Sequence, residues 1–255
     1  MNVTRDEIVS GLRKLGLGSG DLVTLHSSLK SLGRVEGGAQ TVIEALTETL
    51  GPQGTLLLPT FSFPLKSQEE PVFDVRETPS CVGLITELFR REYATHRSIH
   101  LSHSYAAAGP LAQELTAHRL DITPCGEDSP LGKLMRRDGK ILLLGAGYNS
   151  CTAFHVVEEQ LKVPYMTFEV KPKAKYRLDG ELFPLPSRII ARTFSYDFTI
   201  MANEFRAQGV IQEGKIGEAN ATLMSGGSFL ECVKRKLENA PDCFFRGFND
   251  KGAVR

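Results

Sequence analysis

Apolar and polar positions alternate between a helical and a strand-like period along the first sixty residues. Residues 4–15 place Ile8, Leu12 and Leu15 on one face behind Thr4, a natural N-cap, and Gly16, Gly18 and Gly20 end that helix. A short strand at 21–25 runs into a polar, serine-rich segment. A second helix is expected over 39–50, the turn GPQG at 51–54, and a fully apolar strand over 55–58. Helices are further expected at 82–93, 111–117 and, shorter, up to Arg136 within 126–136. Residues 63–78 show no period and read as a long loop, which in a compact domain is functional or mobile. After Gln160 the pattern changes: 166–176 and 182–194 alternate like antiparallel strands, with a turn at Asp179-Gly180. Helices follow at 198–208 and 228–237, and the closing FNDKGAVR reads as a loose tail. The implied class is α/β: a mixed, mainly parallel central sheet sandwiched by helices, with added antiparallel strands in the C-terminal half. No repeat or linker divides residues 1–255, so a single domain is expected.

One stretch organises the rest, ILLLGAGYNSCTAFHVVEE at 141–159. Four consecutive large aliphatic residues are too few for a helix and read as a strand buried on both faces. Gly145 and Gly147 break it, and Asn149, Ser150 and Thr152 offer caps for a following helix. On that helix His155, Glu158 and Glu159 stand at i, i+3 and i+4, so the imidazole shares a face with a carboxylate. That is a place to build a general base. From spacing alone, a capped helix with a solvated histidine and two surface glutamates is the favoured reading.

Composition narrows the partners. Lys plus Arg and Asp plus Glu are balanced at 30 each, so no global charge points to nucleic acid or to a membrane surface. No apolar run is long enough to span a bilayer, and the N-terminus has no signal-like apolar core. Five scattered cysteines without a CxxC pair fit a reducing cytoplasm better than a disulfide framework.

Several motifs are weak or missing. Gly145-Ala146-Gly147 lacks the third glycine of a dinucleotide fingerprint, because Ser150 stands there. A P-loop and a GxSxG nucleophile elbow are both missing. His96, His100 and His103 have metal-like spacing, but no HExxH or cysteine pair accompanies them, so structural or substrate-contact roles are favoured and no metal is expected. His26-Ser27-Ser28-Leu29-Lys30-Ser31, at the end of a strand and ahead of a glycine-rich turn, suits an anionic phosphate as well as it suits a simple capped loop. Cys151 lies at a helix start with no obvious cation and reads as inert.

Four segments in order resemble one family over almost the whole chain. They are HSSLKSLGRVEGGAQTVIEALTETLGPQGTLLLPTFS, HSYAAAGP, GEDSPLGKLMRRDGKILLLGAGYNSCTAFHVVEE and GKIGEANATLM. The family is the aminoglycoside 3-N-acetyltransferases, distinct from the GNAT enzymes. The resemblance implies acetyl-CoA as donor, an aminoglycoside amine as acceptor, and His26 to Leu29 as the CoA-binding loop, which the serine and lysine pattern extends through Lys30 and Ser31. It places the catalytic histidine on His155 and its acid partner on Glu158. Here the family's HLAE reads HVVE, with Glu159 as a second acid in reach. A neutral imidazole with an ordinary pKa of about 6.5 can take a proton from an ammonium-derived nucleophile at neutral pH. A donor must also face the thioester oxygen as it gains charge, and Thr60, at the end of a buried strand, is the candidate. A cationic acceptor calls for carboxylates, for which Glu69, Glu70 and Asp74 in the long loop, and Asp197 downstream, are available. The acids that many relatives carry just after this PTFS are absent at 63–66, which leaves the acceptor open. The expectation is a cytoplasmic acetyltransferase, monomer or homodimer, that inactivates aminoglycosides. Acylation of a different amine, or CoA binding without catalysis, are the competing readings, and a thiol-release assay against a panel of aminoglycosides separates them.

Overall fold

The computed structural model describes residues 2–191 and 194–248. Helix α1 (Arg5–Leu15) starts at Thr4, whose hydroxyl accepts the Glu7 N–H while the Glu7 carboxylate accepts the Thr4 N–H, a closed capping box. Strand β1 (Leu22–Ser27), helix α2 (Ala39–Leu50) and strand β2 (Thr55–Pro59) follow, as the periodicity indicates. Then come β3 (Val72–Asp74), α3 (Leu84–Glu92), β4 (His96–Arg97), β5 (Tyr105–Ala108), α4 (Ala112–Thr116) and α5 (Pro130–Arg136). Strand β6 (Lys140–Leu144) leads through a 3-10 turn at Tyr148–Ser150 into α6 (Ala153–Gln160).

Beyond α6 lie the short strands β7 (Phe168–Val170), β8 (Lys175–Leu178), β9 (Glu181–Pro184), β10 (Arg188–Ile190) and β11 (Phe194–Tyr196). Helix α7 (Ala202–Ala207), strands β12 (Ile211–Ile216) and β13 (Ala219–Ser225), helix α8 (Gly226–Asn239) and strand β14 (Phe245–Phe248) complete the chain. Asp179 and Gly180 both have positive φ, 51° and 90°, which the tight β8–β9 hairpin requires. Apart from Phe248, the expected loose tail lies outside the described residues.

The central sheet has the order β12-β13-β6-β1-β2-β5-β4. Its middle strands β6, β1 and β2 are mutually parallel, and β13 and β5 run antiparallel to their neighbours, so β12, β6, β1, β2 and β4 share one direction. Alternate residues of β6 feed opposite cores. Leu142 and Leu144 pack with α1, α2 and α3, whereas Ile141 and Leu143 pack with α5, α6 and α8. This explains the unbroken aliphatic run: a strand covered on both faces has no side left for polar residues. A third, smaller cluster of Phe73, Leu101, Ala174, Leu185 and Ile189 lies apart from the other two.

Two expectations are corrected here. Residues 63–78 contain a 3-10 turn at Phe63–Ser67 and strand β3, which pairs in parallel with β8, so the segment is not a free loop. The pair β12–β13, which periodicity did not reveal, extends the main sheet beyond β6. Strand β12 is exposed over its four middle residues and carries no apolar alternation to reveal it.

The ends of β6 and β1 are locked together. The Ser28 N–H donates to the Leu144 carbonyl at 2.9 Å, and the Gly145 N–H donates to the Asn220 carbonyl at 2.8 Å. Gly145 has φ of 69°, and a Cβ there would fall 2.6 Å from Ser31 Cβ and 3.2 Å from the Ser28 carbonyl. Gly145→Ala is therefore expected to lose more than about 1 kcal/mol of stability and to displace the Ser28–Ser31 turn, because a side chain is strained at positive φ. Urea unfolding measures this; an unchanged midpoint would show that the turn yields freely.

Candidate active site

The parallel strands β6, β1 and β2 end on the same side, and the chain leaves β1 toward β2 on one flank and returns as β6 on the other. Open α/β sheets bind ligands at such a switch point, beyond the carboxyl ends of their strands. A cavity of about 290 Å³ lies there. Its wall takes His26 and Ser27 from the end of β1, Pro59 and Phe61 from β2 and beyond, and Ala146 from the turn after β6. His155 of α6, His103 and Tyr196 close it.

Helix α6 is held by aromatic packing. Phe154, fully buried, stacks on Phe198 at 4.1 Å and meets Phe229 and Phe244 edge-on. Its expected cap is absent: Thr152 makes no side-chain capping bond, and Asn149 instead accepts the Phe198 N–H at 2.7 Å. One turn into the helix, His155 Nδ1 lies 2.5 Å from Glu158 Oε2. Glu158 has no solvent exposure, and its other oxygen accepts the Tyr165 hydroxyl at 2.5 Å. Burial, with the Glu158 carboxylate alongside, holds the Tyr165 phenol far above its ordinary pKa, so it stays a donor. A carboxylate only accepts, so His155 donates from Nδ1 and its Nε2 lone pair is left for the cavity. The ring is braced edge-on by Tyr196 at 5.1 Å and Phe198 at 5.4 Å.

Glu159 is not the partner of His155. Its carboxylate accepts the Thr123 hydroxyl and the Cys125 N–H, which anchors the 123–125 segment. Cys151 lines the same cavity, but burial pushes its thiol up to about 12, so it stays protonated and unreactive at neutral pH.

Thr60 corrects an expectation. It is fully buried, does not line the cavity, and its hydroxyl lies 3.1 Å from the Ser104 carbonyl and 3.0 Å from the Ser104 hydroxyl. Arg97 donates to the Thr60 carbonyl at 3.1 Å, completing a clasp that leaves the hydroxyl unable to reach a ligand. The acids of the 63–78 segment are elsewhere too. Lys173 pairs with Glu69 at 2.6 Å and Glu70 at 3.0 Å, while Asp74 accepts two backbone N–H groups and lies 3.7 Å from Arg177. None of the three lines the cavity. Asp197 caps the 198–201 turn through Thr199 and adjoins Tyr196 in sequence, so it is the nearest of the four along the chain.

The serine segment leaves the cavity wall at His26 and Ser27 and turns outward. Ser31 donates to Ser28 at 2.8 Å, and Lys30 and Ser31 are exposed. Leu29 begins a 3-10 turn running to Leu32. His26 lines the cavity, but its Nε2 is sealed from solvent without a partner among the described residues, and burial pushes the ring down to about 4, so His26 is neutral. The exposed lysine and serine of this turn suit a polar, anionic ligand.

Of the three histidines with metal-like spacing, His100 uses both ring nitrogens. Its Nδ1 accepts the Ser102 and His103 N–H groups at 3.2 and 2.9 Å, and its Nε2 lies 3.0 Å from the Arg188 carbonyl. His96 is exposed on β4. His103 alone enters the cavity, a placement its spacing did not disclose.

An α/β sandwich in which a carboxylate-braced histidine opens into a cavity at the strand ends is built for general base catalysis. The chain belongs to the aminoglycoside 3-N-acetyltransferase family, whose profile matches residues 24–238. It is 32% identical over 243 residues to the SPbeta prophage-derived aminoglycoside N(3')-acetyltransferase-like protein YokD of Bacillus subtilis strain 168, covering 87% of this chain and 88% of that protein. Its structure resembles a histidine-to-alanine mutant of the aminoglycoside acetyltransferase AAC(3)-IVa in complex with a gentamicin, with TM-score 0.83, 27% identity and coverage of 96% and 92%. It also resembles AAC-IIIb in its binary complex with CoASH, with TM-score 0.80, 26% identity and coverage of 99% and 100%. Among the described residues no helix is long and apolar enough to cross a membrane.

Burial holds His26, His100 and His103 below the ordinary histidine range, to about 4, to about 3 and well below, respectively. The unfolded chain therefore binds more protons than the folded one once pH falls through about 6.5. Their contribution to stability is intact above that pH and is lost as pH falls toward the folded values. Each histidine adds a slope of about 1.4 kcal/mol per pH unit in that window. Glu159, raised by burial, opposes this as a single group. The urea midpoint is expected to drop steeply between pH 7 and pH 5, in steps of about one unit; a flat profile would contradict neutral burial of these rings.

Proposed function

We propose that this protein transfers the acetyl group of acetyl-CoA to the 3-amino group of an aminoglycoside, with residues 1–255 acting as one catalytic domain, and so protects its host cell. The observation that carries the reading is the fully buried Glu158 held 2.5 Å from His155 Nδ1, which turns the other ring nitrogen toward a cavity shared with His26 and Ser27. Family membership supplies the substrate class.

The chemistry follows from the ring's protonation. An ammonium group first loses its proton to solvent. The amine nitrogen then forms its bond to the acetyl carbon while His155 Nε2 takes the second proton, and Glu158 stabilises the imidazolium that results. The carbon–sulfur bond breaks, and the leaving thiolate takes the proton back from His155. The products are an amide and the free thiol of CoA, with no acyl-enzyme and no part for Cys151. In this reading His26, Ser27 and the turn Ser28-Leu29-Lys30-Ser31 hold CoA: His26 and Ser27 at the cavity, with exposed Lys30 as the charge for its phosphates. Asp197 remains the acid proposed to meet an acceptor ammonium because it adjoins the cavity residue Tyr196, and to do so it would exchange its contact with Arg246 at 3.8 Å for the ligand. Glu69, Glu70 and Asp74 neither line the cavity nor adjoin a residue that does, and have no role in it.

His155→Ala is expected to lower kcat by roughly 10²–10⁴-fold with little change in acetyl-CoA affinity. Near-normal turnover in a thiol-release assay would remove His155 as the base. Ser28→Leu is expected to weaken acetyl-CoA binding by calorimetry while the unfolding midpoint stays close to that of the parent. Unchanged affinity would place the phosphate site elsewhere.

A further inference from the structure

With Thr60 turned away, the cavity needs another group to meet the thioester oxygen, and His103 has the required protonation state. Ser102 is fully buried, and among the described residues its hydroxyl has one partner, His103 Nδ1 at 2.8 Å. If Nδ1 donated to the serine, the hydroxyl hydrogen would be sealed in the protein without an acceptor, at the full cost of its desolvation. The serine therefore donates, Nδ1 accepts, and the proton of the neutral ring resides on Nε2.

That nitrogen makes no hydrogen bond among the described residues and is not sealed from solvent, and the ring lines the same cavity as His155. Burial above all keeps the ring uncharged at neutral pH. Its position is set in advance: Phe61 lies at 4.6 Å and Phe63 at 5.2 Å between ring centroids, and the backbone N–H groups of Ser102 and His103 are tied to His100. The cavity thus has an acceptor nitrogen on His155 and a donor N–H on His103.

We propose that His103 is a catalytic residue whose Nε2–H receives the thioester carbonyl oxygen as it becomes an oxyanion, with Ser102 as the positioning residue that sets its tautomer. The inference rests on the acetyl-transfer reading. As the amine nitrogen bonds to the carbonyl carbon, the C=O π pair moves onto oxygen, where the His103 N–H holds it. The pair then returns, the carbon–sulfur bond breaks, and the sulfur takes the proton that His155 had accepted. His103 neither gains nor loses a proton. A preorganised neutral donor of this kind needs no reorganisation at the moment of reaction.

The test is steady-state kinetics with acetyl-CoA and an aminoglycoside, joined to ¹⁵N NMR of the histidine rings. His103→Phe preserves packing with Phe61 and Phe63 and removes the donor; kcat is expected to fall about 10²–10³-fold, the cost of one oxyanion donor. KM for acetyl-CoA is expected to move less than about threefold. His103→Gln, which retains an N–H, is expected to recover part of the loss, and Ser102→Ala to show a smaller fall than His103→Phe. NMR of the unsubstituted protein is expected to show His103 as a neutral Nε2–H ring from pH 8 to about 5, within the range its burial commands. A neutral Nδ1–H ring, a cationic ring at pH 7, or wild-type kcat in His103→Phe overturns the inference and leaves the acetyl-transfer reading standing. A comparable loss in Ser27→Ala with none in His103→Phe would move the role to Ser27. An unsubstituted protein that acetylates no aminoglycoside overturns both.

Discussion

A carboxylate removed from water costs on the order of several kcal/mol unless charged or hydrogen-bonding partners replace the solvent. Glu158 is in that position, and its two partners come from both sides of the site: His155 from its own helix, Tyr165 from the segment that leaves it. The requirement runs in both directions. The carboxylate can remain buried because both groups donate to it, and His155 presents its Nε2 because Nδ1 is committed to the acid. The phenylalanine stack of Phe154 and Phe198 excludes water from the helix base and keeps the pair in register. Loss of either donor would leave part of a charge unpaired in the interior, so the site and the stability of α6 are linked.

Protonation is divided among the cavity histidines by what lies behind each ring. His155 is backed by an acid and is left as an acceptor. His103 is backed by a serine that has no other acceptor and is left as a donor. His26 is backed by the sheet and has an unmet ring nitrogen. His155 and His103 therefore present an acceptor and a donor to a ligand, while the unmet nitrogen of His26 is sealed inside the wall, and the difference lies in their second partners.

Much of the scaffold was legible in the sequence because it obeys local rules. The 39–50 helix and the β1 and β2 strands follow their hydrophobic periods, and the ILLL run announces a strand covered on both faces. The i, i+3 spacing was enough to pair His155 with Glu158, because a helix fixes that contact within one turn. What stayed hidden depends on tertiary contacts. Thr60 has the right residue type at a strand end, but its orientation follows from the clasp of Ser104 and Arg97, both distant in sequence. The acids of the 63–78 segment were available in composition, and only the fold shows that Lys173 and Arg177 answer them. Strand β12 escaped notice because an edge strand exposed over its middle needs no apolar alternation.

The sheet explains why residues far apart in sequence meet at one cavity. Strand β6 lies between β1 and β13, and its end is bound on one side to Ser28 and on the other to Asn220. The N-terminal serine turn, the glycine turn before α6 and the late β13 strand are thus one hydrogen-bonded unit. Gly145 sits at its centre because only a residue without a side chain lets Ser31 and Ala219 approach together. A substitution in this unit would shift the serine turn and the His155 helix jointly. The spacing between the serine turn and His155 is accordingly a property of the parallel strand ends. The 61–63 and 196 segments complete the cavity from outside that unit.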